Sequence, residues 1–144
     1  MRPTTLAEAA ERARSGDALE MALAEFLDEY YLAELPERRR AMLAEEPKPL
    51  GHPRLDALLG AIAEYLAHQY ELADAPAWVF GAARYLEYPW HTTSVQDAAF
   101  REYLTYTSPA EFASRNIFTE EQPLRRARTA AAAARFEASR PVSA

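Results

Sequence analysis

The chain of 144 residues contains no cysteine, a single lysine and only four glycines. The absence of cysteine excludes disulfides, thiolate metal ligands and cysteine nucleophiles. The four glycines form no phosphate-binding loop, and the sequence has no G-x-S-x-G element. Strand-period alternation is also missing, which argues against a Rossmann-type sheet. We therefore expect a protein that is not an enzyme and that has no catalytic residues, cofactor or metal site.

Long hydrophobic runs are missing as well. No apolar run approaches the roughly 18 residues that span a bilayer, and the polar start MRPTTLAEAAERAR lacks the apolar stretch of a signal peptide. A cytoplasmic protein is the expectation. The composition is 49% hydrophobic and 26% charged, which is typical of a globular protein and predicts one domain over residues 1–144. The abundant alanine and scarce lysine indicate a GC-rich bacterial genome.

The formal net charge of -6 is distributed unevenly along the chain. Residues 1–34 carry eight acids against three arginines, whereas residues 111–144 carry six arginines against four acids. An acidic body disfavours nucleic acid, because affinity for nucleic acid rests on neutralising phosphates. A polarised charge distribution suits docking to another protein.

A long amphipathic helix is predicted in the middle of the chain, over residues 54–72. Its apolar residues fall at i, i+3, i+4, i+7 and i+11, namely Leu55, Leu58, Leu59, Ile62 and Leu66. An aromatic segment follows at 76–90, where helical spacing predicts a second helix with Trp78 and Tyr85 in its core. Gly81 within this helix indicates a close helix–helix approach. A ligand pocket is the alternative for the aromatic segment.

Five further helices are predicted, most of them from the residues at their starts. Thr5 and Glu8 form a capping box, Asp17 caps a second helix with a solvated acidic face (Glu20, Glu25, Asp28 and Glu29), and Pro36 opens a third. Within that third helix, Arg38, Arg39 and Arg40 are expected to pair with Glu34 or Glu37. A helix from Ala98 to Tyr106 should turn Phe100, Tyr103 and Leu104 inward, and Ser108 should cap the next one. The predicted fold is all-α: a compact antiparallel domain of six to eight helices, packed around residues 55–66, 78–90 and 100–112.

The three histidines make a weak case for a metal. His68 lies four residues after Glu64 and three before Glu71, so a carboxylate–histidine pair could share a helix face. The zinc-protease helix motif, with two histidines four residues apart, is absent. We interpret His68 as a partly exposed helix residue.

The segment ALLGAIAEYLAHQYELADAPAWVFGAARYLEYPW, together with the later SPAEFASRNIF, resembles a group of small helical bacterial proteins. They combine an AEHLA-type helix, a P-x-W segment, an ARxL-x-x-PW turn and an F-x-x-RNIF-like motif. Such sequences occur alone or as the C-terminal part of helix-turn-helix regulators, often encoded beside nucleotidyltransferase-like proteins in the manner of toxin–antitoxin pairs. The resemblance covers residues 54–126. Residues 1–46 show no helix-turn-helix, so the resemblance does not extend the DNA-binding role of the longer relatives to this chain.

The resemblance implies a protein-binding module that is the antitoxin or regulatory partner of a nucleotidyltransferase-like toxin. A transcription regulator that binds DNA through its arginine-rich C-terminus is the alternative, and a homodimer is a further expected assembly. Arg115 and Asn116 either hold a turn, with Asn116 left-handed, or face a partner. A last helix over 124–138 is poor in apolar bulk, so residues 124–144 are expected to be a projecting arm or tail. The candidate partner-binding residues are Arg115, Asn116, Arg125, Arg126, Arg128 and Arg135.

Overall fold

The computed structural model describes residues 2–93 and 95–125, and these residues are mostly helical. The helices are α1 (Leu6–Arg14), α2 (Leu19–Leu32), α3 (Pro36–Ala44), α4 (Pro53–Gln69), α5 (Ala98–Thr107) and α6 (Ala110–Ala113), and two 3₁₀ turns occupy Ala77–Phe80 and Ala82–Arg84. Two short parallel strands, β1 (Trp90–His91) and β2 (Ile117–Phe118), pair Trp90 with Ile117. The prediction of a mainly α fold is confirmed, while its antiparallel packing stays a prediction.

The first helices begin much as the sequence predicts. The Thr5 hydroxyl accepts the backbone N–H of Glu8 at 3.1 Å, and the Glu8 carboxylate accepts the N–H of Thr4 at 2.7 Å. The capping box is therefore closed one residue earlier than its usual form. Pro36 is the first residue of α3, as predicted. Asp17 does not cap α2, because it pairs with Arg12 at 3.0 Å and α2 begins after Ala18.

The core forms around α4, as its apolar stripe predicts. Leu59, Ile62 and Leu66 are buried, and α2 packs Phe26 and Tyr30 into the same cluster. Burial raises the pKa of Tyr30, so its phenol stays protonated and donates to the Leu66 carbonyl oxygen at 3.3 Å. α4 ends before the predicted residue 72. The reason is that Glu71 turns left-handed (φ 53°) and the Leu72 N–H returns to the Ala67 carbonyl oxygen at 2.9 Å.

Two predictions about which side chains face solvent are wrong. Asp28, which we placed on the wet face of α2, is buried. Phe100 and Tyr103, which we expected to point inward from α5, are exposed, and only Leu104 of that predicted set is buried. The physical reason is that α5 lies mainly against the short strand pair. Its apolar residues therefore find little core to enter.

The predicted helix over the aromatic segment is not formed, and two 3₁₀ turns replace it. Gly81 between them is extended (φ -65°, ψ 150°), which interrupts any continuous helix. Carbonyl oxygens freed in this way need other donors. The Val79 carbonyl oxygen receives a bond from Arg115 at 2.8 Å, so the irregular backbone is satisfied by a side chain.

The turn after α5 also differs from its prediction. Ser108 does not cap α6, because its hydroxyl accepts the Thr119 N–H at 2.7 Å and donates to the Leu104 carbonyl oxygen at 2.6 Å. α6 is a single turn that follows Pro109. The predicted last helix (124–138) and the predicted arm (124–144) lie outside the described residues, apart from residues 124 and 125. Within residues 2–93 and 95–125, no helix has both the length and the apolar character needed to cross a bilayer.

Candidate protein-binding groove

Gly60, in the middle of α4, is the point where two buried arginines meet the helix. A Cβ at Gly60 would lie 2.9 Å from the Cβ of Arg84 and 3.3 Å from the Nε of Arg115. Such distances are too short for a side chain, so only glycine admits both arginines here. The close approach that the sequence placed at Gly81 occurs at Gly60. A Cβ at Gly81 would meet its nearest neighbour at 3.4 Å, an ordinary contact.

Arg84 binds backbone carbonyl oxygens both in the loop before α4 and in the first turn of α4. Its guanidinium donates to the carbonyl oxygens of Asp56 at 3.1 Å and Pro47 at 2.8 Å, and it pairs with the Glu46 carboxylate at 3.1 Å. The residue is 2% exposed, and its guanidinium carbon lies 4.9 Å from the centre of the Trp78 ring. Arg84 therefore fixes Trp78 relative to the loop before α4.

Arg115, the first residue of the RNIF motif, also holds the aromatic segment in place. It is fully buried and donates to the carbonyl oxygens of Glu111 at 2.7 Å and Val79 at 2.8 Å. It also pairs with the Glu64 carboxylate at 2.5 Å, and its guanidinium lies 4.6 Å from the Tyr85 ring centre. Hydrogen-bonded pairing is what makes a buried guanidinium tolerable.

Asn116 joins the two motifs through backbone contacts. It is left-handed (φ 63°), which confirms the predicted conformation, and its side-chain amide donates to the Leu86 carbonyl oxygen at 2.9 Å. The Trp90 N–H donates to the Asn116 carbonyl oxygen at 2.8 Å. Of the two roles left open by the sequence for Arg115 and Asn116, the geometry supports holding the turn. Arg125 is exposed, and Arg126, Arg128 and Arg135 lie outside the described residues.

Trp78, against which the Arg84 guanidinium packs, forms part of the wall of an open groove. The Trp78 indole N–H donates to the Leu43 carbonyl oxygen at 3.0 Å, which fixes the ring against the end of α3. The groove has a volume of about 500 Å³. Its apolar lining is Leu43, Ala44, Ala67, Leu72, Pro76, Ala77 and Trp78, and three charged residues, Arg40, Glu46 and Asp74, complete it. An apolar recess with a few polar groups is the form of a site for a ligand or a partner's side chain.

The remaining charged candidates have structural partners. His68 is half-exposed, and its Nδ1 lies 2.6 Å from the Glu111 carboxylate, so it bridges α4 to α6. The Arg39 guanidinium lies 4.1 Å from the Tyr70 ring centre. The predicted pairing of Arg38–Arg40 with Glu34 or Glu37 is wrong for the part of the chain that the structure describes. In that same part, no three histidine or acidic side chains are close enough together to hold a metal ion.

Sequence reasoning missed Gly60 and Arg84, although each left a signal. A glycine inside a strongly apolar helix has a packing reason more often than not, and an arginine within an aromatic segment needs acceptors. Both signals are local, whereas the acceptors of Arg84, at Pro47 and Asp56, are set by the tertiary fold. Comparison of the chain with protein-family models, with curated proteins and with solved structures yields no match.

Proposed function

We propose that this chain is a non-enzymatic protein-binding module that serves as the antitoxin or regulatory partner of a nucleotidyltransferase-like protein. The observation that carries the proposal is the apolar groove at Trp78. Part of its wall, from Ala67 to Trp78, belongs to the segment through which the sequence resembles the antitoxin-like group. The groove is open to solvent, apolar and of a size that suits a large apolar side chain from a partner.

The wall of the groove is held in place before any partner arrives. Trp78 is fixed by the hydrogen bond to Leu43 and by the guanidinium of Arg84, and Val79 behind it is fixed by Arg115. A preformed recess loses little conformational entropy on binding, so more of the contact energy contributes to affinity. An aromatic wall in a fixed position is also a typical centre of a protein interface.

Charge supports the choice of partner. A cleft that binds the phosphates of a nucleotide attracts negative charge, and this chain carries a formal net charge of -6. An acidic body would be steered to such a cleft and would mask it, which blocks nucleotide transfer without any chemistry. The partner-binding role proposed for Arg125, Arg126, Arg128 and Arg135 is to pair with carboxylates around that cleft. We propose that this occurs in the cytoplasm of a bacterium.

The test fills the groove and leaves the core unchanged. Ala44 and Ala77 are exposed and line the groove, so Ala44→Arg or Ala77→Arg places a charged side chain in the recess. Ala41 is exposed on the same helix α3 but does not line the groove, so Ala41→Arg is the matched control.

Binding of the full chain to the nucleotidyltransferase-like protein encoded beside it is measured by calorimetry, together with that protein's transfer activity. We expect Ala44→Arg and Ala77→Arg to weaken binding and inhibition at least tenfold, about 1.4 kcal/mol, and Ala41→Arg to behave as the wild type. No binding by the wild-type chain would refute the proposed function. Equal binding by all variants would show that the groove is not the site.

A further inference from the structure

One face of α5 is aromatic and open to solvent. Ala99, Tyr103 and Tyr106 are spaced i, i+4 and i+7, so they share one side of the helix. Tyr103 is 53% and Tyr106 80% exposed, whereas Leu104 on the opposite side is buried. Phe100 stacks on Tyr103, with ring centres 6.1 Å apart. This is the spacing of a buried helix stripe, yet nothing in the described part of the chain covers it.

The helix that carries this face is capped at its start and is bonded to the strand pair and its flank at its middle and end. Asp97 accepts the Ala99 N–H at 2.8 Å at its start. In its middle, Arg101 donates to Nδ1 of His91 at 3.3 Å, and His91 donates through Nε2 to the Thr105 hydroxyl at 3.2 Å. At its end, the Thr107 hydroxyl donates to the Thr119 carbonyl oxygen at 3.3 Å. The aromatic face is therefore presented in a fixed orientation.

The charge on α5 differs from that of the whole chain. The helix Ala98–Thr107 has one arginine, Arg101, and one acid, Glu102, whereas the chain has a formal net charge of -6. Two copies of an acidic protein repel each other, and the repulsion is smallest where the local charge is zero. The face of α5 formed by Ala99, Tyr103 and Tyr106 carries no charged side chain, and the helix with its capping Asp97 has a net charge of only -1, from Asp97, Glu102 and Arg101.

The exposed area is that of a weak, reversible dimer. An aromatic side chain offers roughly 150–250 Å² for burial, and Phe100, Tyr103 and Tyr106 are 38%, 53% and 80% exposed. Together they offer about 350 Å² per copy. Two copies with their polar rim then fall below the roughly 1,200 Å² of standard interfaces, in the range of weak and transient association.

We propose that α5 is a self-association surface, on which a second copy of this chain packs its own α5 across a two-fold axis. A stripe of tyrosines is complementary to itself, since ring edges pack against ring faces, and a two-fold contact repeats each such pair. The dimer presents two grooves at Trp78, one on each copy. The inference is independent of the partner proposed for that groove.

The first arm of the test measures the mass of the full chain by sedimentation equilibrium up to about 100 μM protein. We expect the wild type to dimerise reversibly and Tyr106→Glu to weaken dimerisation at least tenfold, because burying an unpaired charge in the interface is unfavourable. Leu35→Glu is the matched control, since Leu35 is 64% exposed and lies away from α5 at the start of α3. This control should dimerise as the wild type does.

The second arm uses the absence of cysteine, so that Glu102→Cys can carry a single spin label without altering a tyrosine. A ten-residue helix is about 15 Å long, and packed helix axes lie about 8–10 Å apart. Labels at Glu102 in two paired copies should therefore lie within about 30 Å of each other. A label at Leu35→Cys is the comparison and should show a longer distance.

Three results would overturn the proposal. A wild type that is a monomer at all concentrations removes the self-association itself. A dimer that persists in Tyr106→Glu, with Glu102 labels far apart, places the interface elsewhere in the chain. A monomer that loses binding to a different protein on Tyr106→Glu assigns the face to that protein. If Tyr106→Glu does not fold, the distance between Glu102 labels decides.

Discussion

Arg84 donates to the backbone carbonyl oxygen of Pro47 at 2.8 Å, although the two residues are 37 positions apart. The bond ties the loop before α4 to the 3₁₀ turn behind Trp78. Arg115 makes an equivalent bond to the Val79 carbonyl oxygen. Arg115 therefore replaces, with a side-chain donor, a hydrogen bond that a regular helix over residues 76–86 would have supplied. Arg84 instead fastens that segment to the loop before α4.

Gly60→Ala should destabilise the protein, although alanine is the better helix former. The new Cβ would lie 2.9 Å from the Cβ of Arg84, so Arg84 must shift away from its carbonyl acceptors. We expect a net loss of about 1–3 kcal/mol in the free energy of unfolding, measured by urea denaturation. Gly81→Ala is the control and should change it by less than about 0.5 kcal/mol. If Gly60→Ala were more stable than the wild type, the close approach of Arg84 and Arg115 to α4 at Gly60 would be contradicted.

Arg115 and Arg125 should separate stability from binding. Arg115→Ala leaves the Glu64 carboxylate and the Val79 carbonyl oxygen without their donor, so we expect a loss of about 3–5 kcal/mol in unfolding free energy. Arg125 is exposed, and Arg125→Ala should change stability by less than about 0.5 kcal/mol. Chemical denaturation of both variants checks the difference. If Arg115→Ala were as stable as the wild type, Arg115 would again be a candidate for contact with a partner.

The stripe on α4 predicts a large loss of stability on truncation. Leu59 and Ile62 are 0% and 1% exposed, so each change to alanine should lower the unfolding free energy by about 2–5 kcal/mol. The exposed Leu35 is the control, and its change to alanine should have an effect below about 0.5 kcal/mol. Losses below about 1 kcal/mol at both core positions would mean that the stripe does not form the core.

The sequence predicts the elements whose information is local. The spacing of Leu59, Ile62 and Leu66 predicts α4, and the proline at position 36 predicts the start of α3, because period and cap chemistry act over a few residues. The 3₁₀ turns around Trp78 were not predictable in this way. The Val79 carbonyl oxygen is satisfied by Arg115, and Arg84 holds the segment through Pro47 and Asp56. Such partners become visible only once the chain is folded.

The candidate site shows the same difference between features set by local sequence and features set by the tertiary fold. The sequence predicts a helix core for the aromatic segment, which the structure does not form, and either a turn or a partner contact for Arg115 and Asn116, of which the geometry supports the turn. The exposure of Tyr103 has the same cause, since helical spacing gives a face and does not give the neighbour that covers it. Only the position of α5 on the strand pair decides that Tyr103 is exposed and Leu104 buried.

The contact of His91 in β1 with α5 should contribute less to the free energy of unfolding as the pH falls. Burial, and secondly the charge of Arg101, lower the pKa of His91 below its usual value of 6.5. The folded state therefore favours neutral His91, whose Nδ1 accepts from Arg101. This contribution is fully present above pH 6.5 and is lost as the pH falls below 6.5 towards the lower folded-state pKa.

The measurement compares unfolding free energies of the wild type and His91→Gln between about pH 5 and 8. All other ionisable groups are the same in both proteins, so the difference isolates His91. We expect the wild type to lose more stability than the variant on acidification. Parallel pH profiles would contradict the assigned protonation state.

Duplex DNA should not bind appreciably to the full chain at about 150 mM salt, since affinity for DNA depends on neutralising phosphates and the net charge is -6. An electrophoretic mobility assay at micromolar protein checks this. A salt-sensitive shift that is lost when Arg125, Arg126 and Arg128 are changed to alanine would instead favour the DNA-binding alternative. Glu20→Ala, at an exposed acid, is the control for a change in net charge alone.

The pairing of β1 with β2 closes a loop that begins at residue 92 and ends at residue 116, with α5 inside it. Only two residues from each strand form this closure, and Leu104 is the sole buried residue of α5. Local opening of such a unit exposes little apolar surface, so it needs far less free energy than global unfolding. Backbone amides of α5 should therefore exchange with deuterium well before those of α4, and dimerisation through α5 would slow that exchange selectively.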